Sequence, residues 1–251
     1  MRIRQNISIL PLLIMGVFLV FSSSCEKDKD NEPSSNNPTN GKTTAVFNPS
    51  LTYGTIKDHD GNIYKTVTIG SQTWMAENLR TTRYNDGGAI PNVTDNDDWM
   101  LLKTGAYCNY DNKTDTVVIA TYGRLYNGYA VNTGKLAPAG WHVPTDAEWS
   151  TLITFLGGDS LAGGELKESG TAHWNSPNTK ATNETGFTFL PGGIRFLMGS
   201  FNSFGFYGSV WSATDFNASS LWARSLYYTS TNVGRTNFDK ALGCSVRCIK
   251  D

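Results

Sequence analysis

The chain has 251 residues, a formal charge of −1, 39% hydrophobic and 17% charged residues, and 25 glycines. Its length, less an N-terminal leader and a polar stretch, leaves roughly 200 residues, the size of one domain. No basic stripe stands out, so electrostatics give no case for nucleic-acid binding. Seven Trp, 11 Tyr and 12 Phe bury much area per residue, so a glycine-rich, loop-rich domain can still build a core.

The chain opens with Arg2 and Arg4, an apolar run from Ile7 to Phe21, and Ser22-Ser23-Ser24-Cys25. The run is short for a membrane span, which needs ~20 residues, and it ends in small residues. Residues 1–24 therefore read as a signal peptide. Losing Arg2 and Arg4 with it brings the mature chain to −3. A cysteine directly after small residues resembles a bacterial lipobox, with Ser22 where Leu is usual. Cys25 is the expected lipid-attachment residue, as in Bacteroidetes-type lipoproteins, and acyl chains on it would anchor the chain to a membrane. Glu26 to Asp30 is charged and Asn31 to Gly41 is rich in Asn, Ser, Pro and Thr. Residues 25–50 thus read as a disordered polar tether. The acidic run behind the cysteine resembles a surface-export signal, which implies the outer face of the outer membrane.

Residues 51–251 form the expected domain. Ile63–Ile69 alternates and is β-branched, which predicts a strand; Gly70-Ser-Gln72 then turns into Thr73-Trp-Met75, the return strand of a hairpin. Thr81 to Gly88 reads as loop, Asp95 to Leu102 as a short helix, and Asp111 to Thr116 as a turn. Thr145-Asp-Ala-Glu148 is a capping box, followed by Trp149, Leu152, Ile153 and Leu156 on one helical face and by the terminator Gly157-Gly158. The C-terminal third predicts short strands over Gly186 to Leu190, Tyr207 to Ala213, Leu221 to Tyr228, Arg235 to Phe238 and Cys244 to Ile249. The expected class is α+β with few helices and long loops.

Several segments in order carry a resemblance: Thr66-Val-Thr-Ile-Gly-Ser-Gln-Thr-Trp-Met-Ala-Glu-Asn-Leu79, Gly105-Ala-Tyr-Cys-Asn-Tyr110 and Tyr122-Gly-Arg-Leu-Tyr-Asn127. Further on come Gly140-Trp-His-Val-Pro-Thr-Asp-Ala-Glu-Trp149, Ala181-Thr-Asn-Glu-Thr-Gly-Phe187, Leu190-Pro-Gly-Gly-Ile-Arg195, Trp211-Ser-Ala-Thr214 and Ser245-Val-Arg-Cys-Ile-Lys-Asp251. Together they resemble the Fibrobacter succinogenes major paralogous domain from about Gly61 to Asp251. The family lacks an established activity. The resemblance implies a fold like that of C-type lectins and of the formylglycine-generating enzyme. It also implies a Cys108–Cys248 disulfide, with Cys244 left as an odd thiol; a Cys244–Cys248 bridge is the competing pairing, although on one extended strand their Cα atoms would lie too far apart.

Candidate chemistry divides into binding, catalysis and a purely structural envelope role. Trp174, Trp211 and Trp222 are candidate stacking rings for a polysaccharide, with core packing as the competing reading of each. A surface protein is the other candidate partner. Calcium could bind the acidic loops Asp58-His-Asp-Gly61 and Asp95-Asn-Asp-Asp98, which otherwise read as solvated turns. An oxidase of the formylglycine-generating type would need a close thiolate pair, and Cys244-x-x-x-Cys248 matches it only superficially. His59, His142 and His173 have no metal spacing, and no nucleophile motif for a glycan-active hydrolase stands out. The expectation is a non-catalytic binding domain. Asp115-Thr-Val117 and Asp159-Ser-Leu161 resemble an O-glycosylation tripeptide.

Overall fold

The computed structural model describes residues 37–251; the expected signal peptide, Cys25 and the first part of the tether lie outside the described residues. Strands β1 (Gly54–Lys57), β2 (Ile63–Ile69) and β3 (Gln72–Met75) make an antiparallel meander. Its two turns place Gly61 and Gly70 at positive φ, where a Cβ would be strained. Then come α1 (Asn96–Met100), β4 (Tyr107–Cys108), α2 (Thr116–Tyr122), β5 (Leu125–Asn127), α3 (Gly128–Val131) and β6 (Trp141–His142). Helices α4 (Asp146–Phe155) and α5 (Asp159–Leu166) follow. The last third holds β7 (Ile194–Arg195), β8 (Phe201–Asn202), β9 (Tyr207–Asn217), β10 (Ser220–Tyr227), β11 (Gly234–Asp239), β12 (Gly243–Cys244) and β13 (Ile249–Lys250).

These strands build three antiparallel sheets, ordered β1-β2-β3-β13-β6, β11-β10-β9 and β4-β5-β12-β7-β8. The final strand closes on the first hairpin, because Ile249 lies opposite both Trp74 and His142. The domain is therefore α+β with few helices. The capping box forms as predicted: Thr145 Oγ1 accepts from the Glu148 amide and the Glu148 carboxylate accepts from the Thr145 amide. It aims Trp149 into the core against Trp74, with ring centroids 4.6 Å apart, and against Phe187.

Long loops leave backbone carbonyls without ladder partners, and a buried unpaired carbonyl costs on the order of 1–3 kcal/mol. Fully buried cations meet that need. Arg195 donates to the carbonyls of Val93, Thr94, Asp95 and Gly199 and lies 4.3 Å from the Trp99 ring centroid. Arg247 donates to the carbonyls of Phe187 and Thr188 and to Asn78 Oδ1, and lies over Phe187. Arg80 joins Thr39, Glu77 and the Ile63 carbonyl over Tyr64. Lys167 Nζ takes the carbonyls of Thr179, Tyr227 and Ser230, and burial lowers its pKa to about 8.

Four sequence expectations change. Gly186 to Leu190 is not a strand: Thr188 has φ 54°, and its amide bonds the Asn183 side chain instead of a ladder. Cys244 to Ile249 splits into β12 and β13, which belong to different sheets. Helix α5 is unexpected because Gly163 and Gly164 weaken its pattern. Those glycines permit close approach, since a Cβ on Gly163 would sit 2.5 Å from the Thr231 oxygen and one on Gly164 would sit 2.7 Å from the Lys180 oxygen.

The fourth change concerns the expected tether over residues 25–50. From residue 37 onward the chain is a strap laid on the domain. Asn37 and Asn40 side chains donate to the Asp60 and Gly61 carbonyls, and Thr39 Oγ1 donates to Asn62. The Thr44 amide donates to Thr121 Oγ1 and the Val46 amide to Glu168 Oε1. Asn48 Nδ2 donates to the Asn183 carbonyl. The composition that reads as disordered supplies amide and hydroxyl groups that bond loops, and Phe47 adds an apolar contact by packing edge-on against Tyr53 beside the core.

Candidate functional site

The three stacking candidates separate by burial. Trp174 and Trp211 are core residues, 1% and 0% exposed, and their indole N–H groups donate to the carbonyls of Phe189 and Tyr126. Neither is available to a ligand, which corrects the expectation for both. Trp222 reaches the surface on β10. The Arg235 guanidinium carbon sits 3.5 Å from its ring centroid, and Phe216 meets it edge-on at 4.9 Å. Arg235 on β11 and the buried Arg224 on β10 share one carboxylate, Asp146 at the start of α4. This bridge fixes the outer guanidinium over the indole. Phe216 is itself 48% exposed, so the three residues form an open aromatic and cationic platform.

Cys108, Cys244 and Cys248 are free thiols, so the Cys108–Cys248 bridge implied by the resemblance does not form. Cys108 on β4 packs with Trp99, Ala106 and Leu125, whereas Cys248 packs with the separate cluster around Tyr64 and Met75. Burial pushes the Cys108 and Cys244 thiols up to about 12 and raises Cys248 still further. A thiolate is the reactive form of cysteine, and burial keeps the proton on all three.

His142 and His173 serve as fasteners. His142 places Nδ1 2.6 Å from Asp251 and Nε2 2.8 Å from Glu148. Partial burial disfavours its charge, but the hydrogen bonds to Asp251 and Glu148 outweigh it and raise the pKa. The imidazolium thereby ties the last residue of the chain to the first turn of α4. His173 stands between Glu168, 2.8 Å from Nδ1, and Thr44, 2.9 Å from Nε2. A hydroxyl, imidazole and carboxylate in that order are the parts of an acyl-transfer triad. Here Thr44 belongs to the strap, and the same Glu168 also takes the Val46 amide, so the row clasps the strap. His59 is exposed beside Gly87.

The acidic loops are engaged by protein donors. Asp95 caps α1 by accepting from the amides of Asp97 and Asp98. Asp58 turns inward to Tyr64 and Asn62, and burial raises its pKa. Asp60 accepts from the amide and hydroxyl of Thr82 through one oxygen. Among the described residues no three His, Cys, Asp or Glu side chains converge as a metal site would need.

Beside Asp60 lies a polar cleft of about 190 Å³, lined by the strap residues Asn37 to Thr39 and by Arg80, Thr82 and Arg124. Nothing in the sequence pattern marks this cleft. It arises only where the strap crosses the β1–β2 turn and the start of β5.

The family model of the Fibrobacter succinogenes major domain matches residues 67–250. No curated protein and no solved structure matches the chain. The matched span holds the buried arginines Arg80, Arg195 and Arg247, the closing strand β13 and the platform, and leaves the strap outside it. The chain belongs to the Fibrobacter succinogenes major domain family.

Proposed function

We propose that the protein is an outer-membrane lipoprotein, anchored through Cys25 and displayed on the cell surface, whose domain is a non-catalytic binding module for polysaccharide. The observation that carries the binding reading is the platform of Trp222, Phe216 and Arg235. The exposed Phe216 ring can take the apolar C–H face of a sugar ring, while the indole face that Arg235 covers presents a planar guanidinium whose edge donates to hydroxyl or carboxylate oxygens. The finer architecture we infer is that of the C-type lectins and the formylglycine-generating enzyme. Few helices, short antiparallel strands and long loops support it, although a shared fold carries no activity with it. An oxidase reading requires a thiolate pair, and the burial of all three domain thiols works against one.

The test is a glycan array probed with the mature chain carrying Cys25→Ser, in calcium and in chelator. Binding that Trp222→Ala abolishes in both conditions supports the platform reading. Loss in chelator alone would assign the site to calcium. A blank array would turn the reading toward a protein partner or a structural envelope role. Lipidation is tested by incorporation of labelled palmitate, lost in Cys25→Ser, and display by protease shaving of intact cells. Cells whose protein survives shaving would place the domain on the inner side.

A further inference from the structure

We infer that the cleft beside the strap is a second binding site, built for one neutral, polyhydroxylated ring such as a terminal pyranose. The inference rests on the glycan-binding reading and assigns that ligand class a pocket of its own.

The walls of the cleft are rigid. Thr39, Asn62 and Arg80 are each more than nine-tenths buried and bond one another: Thr39 Oγ1 donates to Asn62 Oδ1, and Arg80 Nε donates to Thr39 Oγ1, both at 2.9 Å. Such a frame holds its free edges in place before a ligand arrives, which lowers the ordering cost of binding.

Two polar edges line the cavity. Asp60 spends Oδ2 on Thr82, and the nearest cation to its Oδ1 is Arg83 Nε at 3.5 Å. Arg124 spends Nε on the Arg80 carbonyl and Nη1 on Asn109, and its guanidinium lies 4.8 Å from the Tyr107 ring centroid. A guanidinium carries five N–H donors, so unspent donors remain on Arg124. Asp60 and Arg124 line the same cavity but do not meet as an ion pair among the described residues.

An acceptor edge and a donor edge held apart in one small pocket suit hydroxyl groups, each of which donates and accepts at once. Two neighbouring hydroxyls can satisfy both edges together. Arg80 is paired with Glu77 at 3.4 Å and Asp60 with the more exposed Arg83 at 3.5 Å, so both carboxylates at the cleft already have a cation beside them. The volume of about 190 Å³ admits a single ring and little more. Because the strap supplies one wall, filling the cleft should also hold the strap down.

The test is a titration of the mature chain with D-galactose, D-mannose and D-glucose to about 50 mM, a range that reads weak single-site affinity, followed by amide NMR. D-Glucuronate and inorganic phosphate serve as charged comparators. Shifts at Gly61, Thr82 and Arg124 with a neutral sugar are expected, together with slower hydrogen exchange at Asn40. Asp60→Asn and Arg124→Lys should each weaken binding about 10-fold, which is about 1.4 kcal/mol. Pro38→Trp, at an exposed wall position that leaves the buried frame intact, should block it. The inference is overturned if no neutral sugar shifts these amides, if only glucuronate or phosphate does, or if Pro38→Trp leaves the shifts unchanged. Array binding that depends on Trp222 but not on Pro38 would sink the cleft while sparing the platform. Cleft shifts with a blank array would do the reverse.

Discussion

Arg247 and Arg235 present the same chemistry in opposite settings. Each guanidinium lies on an aromatic ring, Phe187 for one and Trp222 for the other. Arg247 is fully buried and hands its donors to loop carbonyls; Arg235 is exposed and hands its donors to Asp146. The inner pair fixes how loops cross. The outer pair fixes only how a surface ring is presented. Arg247, Arg195, Trp74 and Trp149 all fall in the segments that carry the family resemblance, whereas Trp222, Arg235 and Phe216 fall between them. The recognisable segments therefore hold these parts of the frame, whereas the platform lies in an interval between them.

This contrast can be broken by substitution. Arg247→Met should cost the most, on the order of 3 kcal/mol or more, because it strands two carbonyls and the Asn78 side chain in the core. A denaturation midpoint equal to that of the parent protein would show that the inner pair is dispensable. Gly163→Ala comes next. Alanine favours a helix over glycine by about 1 kcal/mol, yet its Cβ would collide with the Thr231 oxygen, so a net loss of roughly 1–3 kcal/mol is expected from overpacking. A stabilised variant would mean that the close approach between α5 and that loop relaxes freely.

Titration gives a smaller and signed effect. The pKa of His142 is raised above the ordinary 6.5, so its clasp contributes stability in full below that pH. The contribution fades as pH rises through the raised folded value. Lys167 acts in the opposite sense. Its contribution is complete above 10.5 and is lost as pH falls through about 8. Melting temperatures across pH should lose the first slope in His142→Gln and the second in Lys167→Met; a curve unchanged in either variant would sink the corresponding assignment. The least disruptive change to the fold is Arg235→Met, expected within about 0.5 kcal/mol of the parent in denaturant while weakening the Trp222-dependent glycan signal. Equal losses for Arg235→Met and Arg247→Met would erase the distinction between surface and frame.

Local chemistry was legible wherever a short rule decided the structure. The hairpin of β2 and β3, helix α4 with its capping box, and the long strands β9 to β11 follow from alternation, caps and turn residues. The strand expected over Gly186 to Leu190 failed because the nearby Asn183 side chain and the distant Arg247 satisfy that backbone, and the alternation pattern reports neither. Trp174, Trp211 and Trp222 look alike in sequence; only their places in the folded chain separate core from surface. The cleft was invisible because its walls come from residues 37–39, 60–62, 80–82 and 124. The strap misled for a compositional reason, since asparagine and threonine mark a solvated linker and equally well a chain that docks by side-chain hydrogen bonds.

That docking has a mechanical consequence. On the proposed anchoring through Cys25, a pull between membrane and bound ligand that reaches Asn37 loads the side-chain bonds of the strap before it reaches β1. Those bonds lie in series along residues 37–48, so they can yield one after another while the sheets stay intact. Peeling them off would release at most roughly 40 Å of contour length, at about 3.3–3.6 Å per residue. A force-extension trace of the chain pulled from its N-terminus should then show a short, reversible step ahead of the main rupture. A single rupture would mean that strap and sheets fail together. With the step, the domain would sit on its membrane with a built-in strain relief, able to follow a moving polymer without unfolding.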